Sequence, residues 1–210
     1  MIIKLDNYAA VGNAAVVSVR CPGCRQIGTF ETLANSNDAQ SHPYFLGQRR
    51  CPNPNCHTHL FFVWSSTQNK LLLTYPAERI DFDTTNVPDE VKQLLEEAIT
   101  CHAAGCYRAS AIMIRRTLEE LCRDRGAKGA NLKERLKALG SKVVLPPDLL
   151  DAMNELRLLG NDAAHVESQE YNAVGQEEVG VAIAVSKEIL KGVYQYASLV
   201  TQLRSLKKTS

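Results

Sequence analysis

Hydrophobic residues in the first part of the chain come in short runs that are rich in β-branched and aromatic side chains. The runs are Ala14 to Val19, Leu60 to Trp64 and Lys70 to Tyr75, and turn-forming residues separate them. The stretch from Ala34 to Pro43 is polar and contains Asn and Asp, which predicts a loop. Up to about Arg79, the pattern therefore predicts a series of short β-strands.

From Asn86 onward the hydrophobic residues change to helical spacing. Asn86-Val-Pro-Asp-Glu supplies a capping Asn, an early Pro and first-turn acids, so a helix is predicted to start near Pro88. A second helix, ending near Gly126, is predicted from residues spaced four and three apart: Tyr107, Ala111, Ile114, Leu118 and Leu121. The remaining predicted helices are Asn131 to Leu139, Pro147 to Gly160 and about Gln176 to Leu203.

This change of period predicts two domains, a β-rich domain over residues 1–82 and an α-helical bundle over residues 83–210. No predicted helix is apolar on all sides, so each must bury one face against the others. The predicted fold class is therefore α+β, with a small β-rich module followed by an all-α bundle.

Composition and charge exclude several classes of protein. The chain is 45% hydrophobic and 22% charged, which is typical of a globular protein. Its net charge is +1, so any nucleic-acid binding must come from a local patch. The sequence lacks an apolar stretch of about 20 residues, so we expect no membrane partner. The first six residues lack the features of a secretion signal, and a cytoplasmic location is expected.

Four of the seven cysteines form two close pairs among Pro, Gly and Asn residues, namely Cys21, Cys24, Cys51 and Cys56. A Cys pair on a tight turn directs two sulfurs toward one point, and two such turns can surround a tetrahedral Zn²⁺. The spacing predicts a Cys₄ zinc ribbon. Because four thiolates leave no open coordination position, the zinc is predicted to be structural, and a module this small should depend on it to fold.

The second cysteine pair leaves one alternative open, because His57 or His59 could replace Cys56 as a ligand. Cys56 is preferred, since it closes the more familiar ribbon. The other three cysteines lie within helical patterns and are predicted to be core or helix-surface residues: Cys101, Cys106 and Cys122.

Four arginines flank the two cysteine pairs: Arg20, Arg25, Arg49 and Arg50. One hypothesis is that they form a basic patch that binds RNA or DNA. The other is that they only offset the negative charge of four thiolates, because no aromatic residue is interleaved with them.

Charged residues of the helical part also allow two interpretations. Arg157 is predicted to emerge beside an apolar helix face, where it needs an acceptor, and Glu119 is the candidate. Arg115 and Arg116 either face a phosphate or pair with Glu119 and Glu120 at helical spacing, and the second interpretation is favoured.

The segment Gly160-Asn161-Asp-Ala-Ala-His165 is predicted to join two helices. Gly160 would end one helix and Asn161 would cap the next, which would place His165 in a first turn. The positive potential there favours a neutral imidazole that can accept a proton. Asp162 could orient the ring.

The motifs Arg115-Arg116-x-Leu-Glu119 and Gly160-Asn161-x-Ala-Ala-His165, together with the intervening Asn131-Leu132-Lys-Glu-Arg-Leu, closely resemble the DUF4145 family over roughly residues 88–200. Members often carry an N-terminal cysteine ribbon or occur in restriction and phage-defence proteins. The family is similar to the HEPN helical bundles, which implies a HEPN-like four-helix bundle and a homodimer, and in some members a metal-independent ribonuclease.

This resemblance implies a composite catalytic site of Arg157, Asn161 and His165. The His would transfer a proton to or from a ribose 2′-hydroxyl, and the Arg would stabilise the phosphate charge. The chain departs from the HEPN pattern, because the residue directly before Asn161 is Gly160 and not Arg. The competing interpretation, which is favoured, is that the three residues form a buried hydrogen-bonded cluster.

The sequence therefore predicts a zinc-stabilised, dimeric module of a bacterial defence or restriction system that associates with nucleic acid or with a protein partner. The alternative is a metal-independent endoribonuclease with the Arg157, Asn161 and His165 site.

Overall fold

The computed structural model describes residues 7–13 and 15–207. The chain divides into two compact units, Met1–Asp81 and Phe82–Ser210. An antiparallel sheet occupies the first unit and helices occupy the second, so the predicted α+β class is confirmed at this level. The first six residues, for which no secretion signal is expected, and Ala14 lie outside the described residues. No described helix combines the length and the apolar character needed to cross a membrane.

The described residues of the first unit form eight short strands, which are β1 (Ala9–Val11), β2 (Ser18–Arg20), β3 (Ile27–Thr29), β4 (Glu31–Thr32), β5 (Asp38–Ser41), β6 (Tyr44–Arg50), β7 (His59–Ser65) and β8 (Lys70–Tyr75). β1, β5, β6, β7 and β8 form one antiparallel sheet in that order, and β4 pairs with β6. β2 and β3 form a separate two-stranded hairpin.

The two predicted strands with the clearest hydrophobic runs are confirmed as β7 and β8. Alternate residues of β7 point to opposite faces, so Leu60 and Phe62 are buried whereas Phe61 is exposed. In the described part of the first run, residues 15–19, only Ser18 and Val19 belong to a strand, because β2 begins at Ser18.

The prediction of a loop from Ala34 to Pro43 is wrong, because β5 lies inside this stretch and pairs with β6. A polar sequence becomes a strand here because Asp38 is buried, at 1% exposure, and receives two hydrogen bonds of 2.8 Å from Arg49 on β6. Arg49 is also 1% exposed, and it donates to the carbonyl oxygen of Ala15 at 2.7 Å. Burial of this ion pair therefore couples β5, β6 and the segment before β2.

The second unit contains α1 (Asp89–Ala103), α2 (Tyr107–Asp124), α3 (Leu132–Gly140), α4 (Pro147–Ala164), α5 (Gln176–Leu190), a π-helical segment (Lys191–Gln195) and α6 (Tyr196–Ser205). α2 is the central helix, since it packs against α1, α3, α4 and α5. Its predicted stripe is confirmed, because Ala111, Ile114, Leu118 and Leu121 are all buried. Asn131 caps α3 as predicted, with its side chain accepting from the backbone N–H of Glu134 at 3.0 Å.

One predicted helix boundary is wrong, and one predicted helix is interrupted. α4 does not end at Gly160 but continues to Ala164. A Cβ at Gly160 would lie 2.6 Å from the Cβ of Arg115, so the glycine serves the close packing of α4 on α2 and does not end the helix. The predicted last helix is interrupted by the π-helical segment, where Gln195 donates to the carbonyl oxygens of Asp83 and Thr85.

Candidate metal centre

The four predicted metal ligands lie at the tips of two hairpins. Cys21 and Cys24 lie in the turn between β2 and β3, and Cys51 and Cys56 lie in the turn between β6 and β7. The residue after each pair, Arg25 or His57, has a positive φ, which reverses the chain so that both cysteines of the pair face the same side. Each turn therefore presents two sulfurs, as the spacing predicted.

All four sulfurs lie within 4.8 Å of one another and could bind a metal ion such as zinc. The Sγ atoms of Cys21 and Cys56 are 3.6 Å apart, and those of Cys24 and Cys51 are 3.7 Å apart. A tetrahedral ion with metal–sulfur bonds of about 2.3 Å requires sulfur–sulfur distances of about 3.8 Å. The donor set and its dimensions therefore fit a Cys₄ metal site. Within the described residues this is the one such cluster, and it includes neither His57 nor His59.

Two neighbours of the cysteines, Thr58 and Gly23, also shape the site. The sequence indicated that the glycine presets its turn but indicated no role for Thr58. Thr58 places its hydroxyl 2.9 Å from the Cys56 sulfur. Gly23 lies so close that a Cβ there would be 2.1 Å from the Thr58 hydroxyl and 3.1 Å from the Cys56 sulfur. Its own backbone N–H donates to the Cys21 sulfur at 3.4 Å. The first turn can therefore close against the second only with glycine at this position.

The thiols of the cluster differ in acidity. Burial raises the pKa of Cys51 to about 12, and the neighbouring cysteine sulfurs add to that increase. Hydrogen bonds from the hydroxyl and the backbone N–H of Thr58 lower the pKa of Cys56 to about 6. Because a metal ion binds thiolates, its binding must release the proton that burial holds on Cys51.

The four arginines near the cysteines differ in their exposure and in their acidic neighbours. The hypothesis is wrong for Arg49, whose side chain is buried against Asp38. Each of the other three has an acidic neighbour in its own unit: Arg20 and Arg25 lie 4.0 and 3.8 Å from Asp81, and Arg50 lies 3.0 Å from Glu31. Their charges are therefore partly offset by carboxylates.

In the helical unit, Asn161 is held by an arginine that the sequence did not assign to it. Arg115 Nη1 donates to the Asn161 side-chain oxygen at 2.5 Å and lies 3.5 Å from the carbonyl oxygen of Arg157. The predicted ion pair of Arg115 with Glu119 is present at 3.4 Å. The expectation that Glu119 accepts from Arg157 is wrong, because Arg157 Nε donates to Asn154 at 3.0 Å. The contact of Arg115 with Asn161 instead joins α2 to α4.

The pairing predicted for Arg116 is not observed. Glu120 instead accepts hydrogen bonds from Arg123, three residues further along α2. Arg116 itself is exposed.

The prediction that His165 lies in the first turn of a helix is wrong. His165 is the C-terminal cap of α4, and its backbone N–H donates to the Asn161 carbonyl at 2.8 Å. Asp162 accepts from the Ser168 hydroxyl at 2.5 Å and from the Tyr171 backbone N–H at 2.7 Å, so it anchors the following loop. The argument for a neutral imidazole at a helix N-terminus therefore does not apply.

His165 lines a polar cleft of about 530 Å³ between the end of α4 and the loop after it. The cleft also contains Arg108, from the first turn of α2, and Ser168. Arg157 and Asn161 do not line it. The cleft thus contains His165 together with Arg108, which is not among the predicted site residues.

The comparison with family models finds a match to "Domain of unknown function (DUF4145)" over residues 96–209. The chain belongs to the DUF4145 family. The comparisons with curated proteins and with solved structures each give no match.

The DUF4145 match begins within α1 and extends past the end of α6, so it covers most of the helical unit. It includes the contact of Arg115 with Asn161 and the cleft beside His165. The four clustered cysteines lie outside the DUF4145 match, in the unit that precedes it.

Proposed function

We propose that this DUF4145 protein is a zinc-stabilised protein-interaction module that forms a homodimer through α6. The observation that carries the proposal is an apolar stripe along that helix. The α6 stripe consists of Tyr196, Leu199, Val200 and Leu203, together with Leu206 at the C-terminal cap, and their exposed fractions range from 47% to 80%. Within the described part of its own unit, α6 packs only against the preceding π-helical segment.

The spacing of the α6 stripe supports self-association. Tyr196, Leu199, Leu203 and Leu206 are separated by three, four and three residues, which is the spacing of the seam of a two-stranded coiled coil. A stripe of this kind can pack against a copy of itself around a two-fold axis. We therefore expect the α6 stripes of two protomers to bury each other.

Sedimentation velocity tests the homodimer. We expect the zinc-loaded chain to sediment as a dimer at micromolar concentration, and Leu199→Glu and Leu203→Glu to shift it to monomer with unchanged helix content. Val144→Glu is the matched control, because Val144 is exposed but lies outside α6, and it should leave the dimer intact. A monomeric wild-type chain, or equal dissociation by all three variants, would refute the proposal.

Zinc is the proposed metal because four thiolates in a tetrahedron suit Zn²⁺ and leave no position for substrate. Cys21, Cys24, Cys51 and Cys56 would hold it, and its role would be to stabilise the first unit. A site of four thiolates requires reduced cysteines, and cysteines stay reduced in the cytoplasm, so the proposed zinc site supports a cytoplasmic location.

Elemental analysis of protein purified under reducing conditions tests the metal. We expect one zinc per chain, and less than one tenth of that in Cys51→Ser. Cys106→Ser, an exposed cysteine outside the cluster, should retain the full content. A wild-type chain without zinc would contradict the proposed cofactor.

The proposed setting, a bacterial defence or restriction system, and the HEPN-like character of the bundle are supported by the resemblance of the DUF4145 motifs. RNA or DNA binding by the first unit has weaker support, because the arginines beside the cysteines have acidic neighbours or are buried. A salt-sensitive mobility shift that Arg25→Ala abolishes would restore it.

A second candidate function is a metal-independent endoribonuclease, and the observation that favours it is the cleft shared by His165 and Arg108. His165 would transfer the proton of a ribose 2′-hydroxyl, and Arg108 would stabilise the phosphate charge. Cleavage of RNA without added divalent ions should be lost in His165→Ala and in Arg108→Ala. Arg157→Ala, which changes a residue outside the cleft, is the control. Equal cleavage by wild type and His165→Ala would remove His165 from the mechanism.

A further inference from the structure

The turn between α1 and α2 places two cysteines at the ends of one backbone hydrogen bond. The backbone N–H of Cys106 donates to the carbonyl oxygen of Cys101 at 2.8 Å, and that of Gly105 donates to His102 at 3.0 Å. Gly105 has a φ of +76°. These two bonds and the left-handed glycine define a Schellman motif at the end of α1.

The hydrogen bond limits how far apart the two cysteines can be. Standard bond lengths put a carbonyl oxygen about 2.4 Å from its own Cα and an amide nitrogen about 1.5 Å from its own Cα. Adding the 2.8 Å hydrogen bond, the Cα atoms of Cys101 and Cys106 are at most about 6.7 Å apart. Disulfides span Cα distances of about 4.4–6.8 Å. The backbone therefore already holds the two residues within bridging distance.

Side chains at these two positions of a Schellman motif frequently contact each other, so the motif directs them to the same side of the turn. Cys106 is exposed and Cys101 is partly buried, so a small reagent can reach the first thiol. Burial raises the pKa of the Cys101 thiol, and the neighbouring Glu97 and Cys106 raise it further. Cys106 is accordingly the thiol that reacts first, and Cys101 is the thiol that follows.

We propose that Cys101 and Cys106 are a redox-modification site that forms a disulfide when the protein meets a hydroperoxide. The Cys106 thiolate attacks the peroxide oxygen, the O–O bond breaks, and a sulfenic acid forms with release of an alcohol, or of water from hydrogen peroxide. The Cys101 sulfur then attacks the sulfenic sulfur, the S–S bond forms, and water leaves. Two thiols lose two electrons and two protons, and the peroxide is reduced.

Closure of this disulfide requires the Cys106 side chain to turn toward Cys101, because the Cys106 sulfur lies 4.0 Å from the carbonyl oxygen of Ala104. The hydroxyl of Ser110 on α2 already donates to the carbonyl oxygen of Ala98 on α1 at 2.7 Å, on the helix side of the turn. The disulfide would add a covalent bond close to this hydrogen bond, which already joins α1 to α2. Cys122 is the internal control, because it is a thiol of the same unit that is 0% exposed and therefore shielded from peroxide.

Peptide mapping of the full zinc-loaded chain tests the proposal. Trypsin releases residues 93–108 as one peptide, which holds both cysteines and no internal Lys or Arg. After treatment with hydrogen peroxide we expect this peptide to lose the mass of two hydrogens and both alkylation sites, and to recover both after reduction. Cys122 should remain alkylated after denaturation, as in the untreated protein.

Single variants distinguish a disulfide from simple oxidation. In Cys101→Ser, Cys106 should accumulate as a sulfenic acid that a dimedone probe traps, whereas in Cys106→Ser the Cys101 thiol should stay reduced. Zinc content measured on the same samples separates this reaction from oxidation of the metal ligands. The proposal is overturned if the wild-type peptide keeps both alkylation sites, or if it carries sulfinic acid on Cys106 without the disulfide.

Discussion

The buried ion pair of Arg49 with Asp38 gives the sharpest test of the first unit. Both of the Asp38 oxygens accept from the Arg49 guanidinium at 2.8 Å, and both residues are 1% exposed. The guanidinium also lies 4.5 Å from the centre of the Phe62 ring. Arg49→Met would fill the space of the aliphatic stem but remove both charged hydrogen bonds of a buried carboxylate.

Removing one partner of a buried ion pair typically costs about 3–5 kcal/mol, because the other charge stays in a site of low polarity. We therefore expect Arg49→Met to lower the free energy of unfolding of the first unit by about 3–5 kcal/mol. Arg50→Met is the matched control. Arg50 is the next residue and also has an acidic partner, but its side chain is 42% exposed, so its loss should cost about 0–1 kcal/mol.

Urea unfolding monitored by tryptophan fluorescence is the appropriate assay. The chain has a single tryptophan, Trp64, which packs against the core of the first unit and therefore reports on that unit alone. Free zinc must be held constant, since metal binding contributes to the same transition. The double variant Asp38→Leu with Arg49→Met should recover most of the lost stability, because it leaves no buried charge unpaired. Equal costs for Arg49→Met and Arg50→Met would refute the reasoning.

Three further predictions concern the stability of the helical unit. Circular dichroism at increasing urea tests all three, and for Asp162 the measurement is repeated at several pH values. Gly160→Ala should cost about 1–3 kcal/mol, since its Cβ would meet Arg115 at 2.6 Å. Gly180→Ala is the comparison, because a Cβ at Gly180 would lie no closer than 3.7 Å to a neighbouring atom, and it should raise the free energy of unfolding by up to about 1 kcal/mol. A gain in stability at both sites would contradict the predicted clash at Gly160. Asn131→Ala should lower the free energy of unfolding by about 1 kcal/mol, because it removes the N-terminal cap of α3. An unchanged free energy of unfolding would mean that the cap does not stabilise the helix. Burial raises the pKa of Asp162, but hydrogen bonds from a serine hydroxyl and backbone amides outweigh it and lower the pKa. Its stabilising contribution is therefore present above the unfolded value of about 3.9 and is lost as pH falls through the folded value. Asp162→Asn should flatten this acid-induced loss, and an unchanged profile would contradict the assignment.

Local sequence signals determined those features that depend on neighbouring residues. The periodicity of α2, the Asn131 cap and the strands β7 and β8 are each specified within a few residues, so the sequence predicted them correctly. The spacing of the cysteines likewise predicted that Cys21 and Cys24 would share a turn, and that Cys51 and Cys56 would share another. In these segments the physical cause lies within one or two turns of backbone.

The tertiary structure decided the features that depend on distant partners. The intrinsic conformational preference of glycine favours a helix end at Gly160. Close packing against Arg115 on α2 instead requires a residue without a Cβ inside α4. Asp38 would favour a loop, yet the guanidinium of Arg49 makes its burial possible and so allows β5 to form. The position of His165 has the same cause as that of Gly160. Because α4 continues past Gly160, His165 lies at the C-terminus of this helix and not in the first turn of another. Burial and ion pairing act between surfaces that meet only after folding, so a local pattern contains no signal for them.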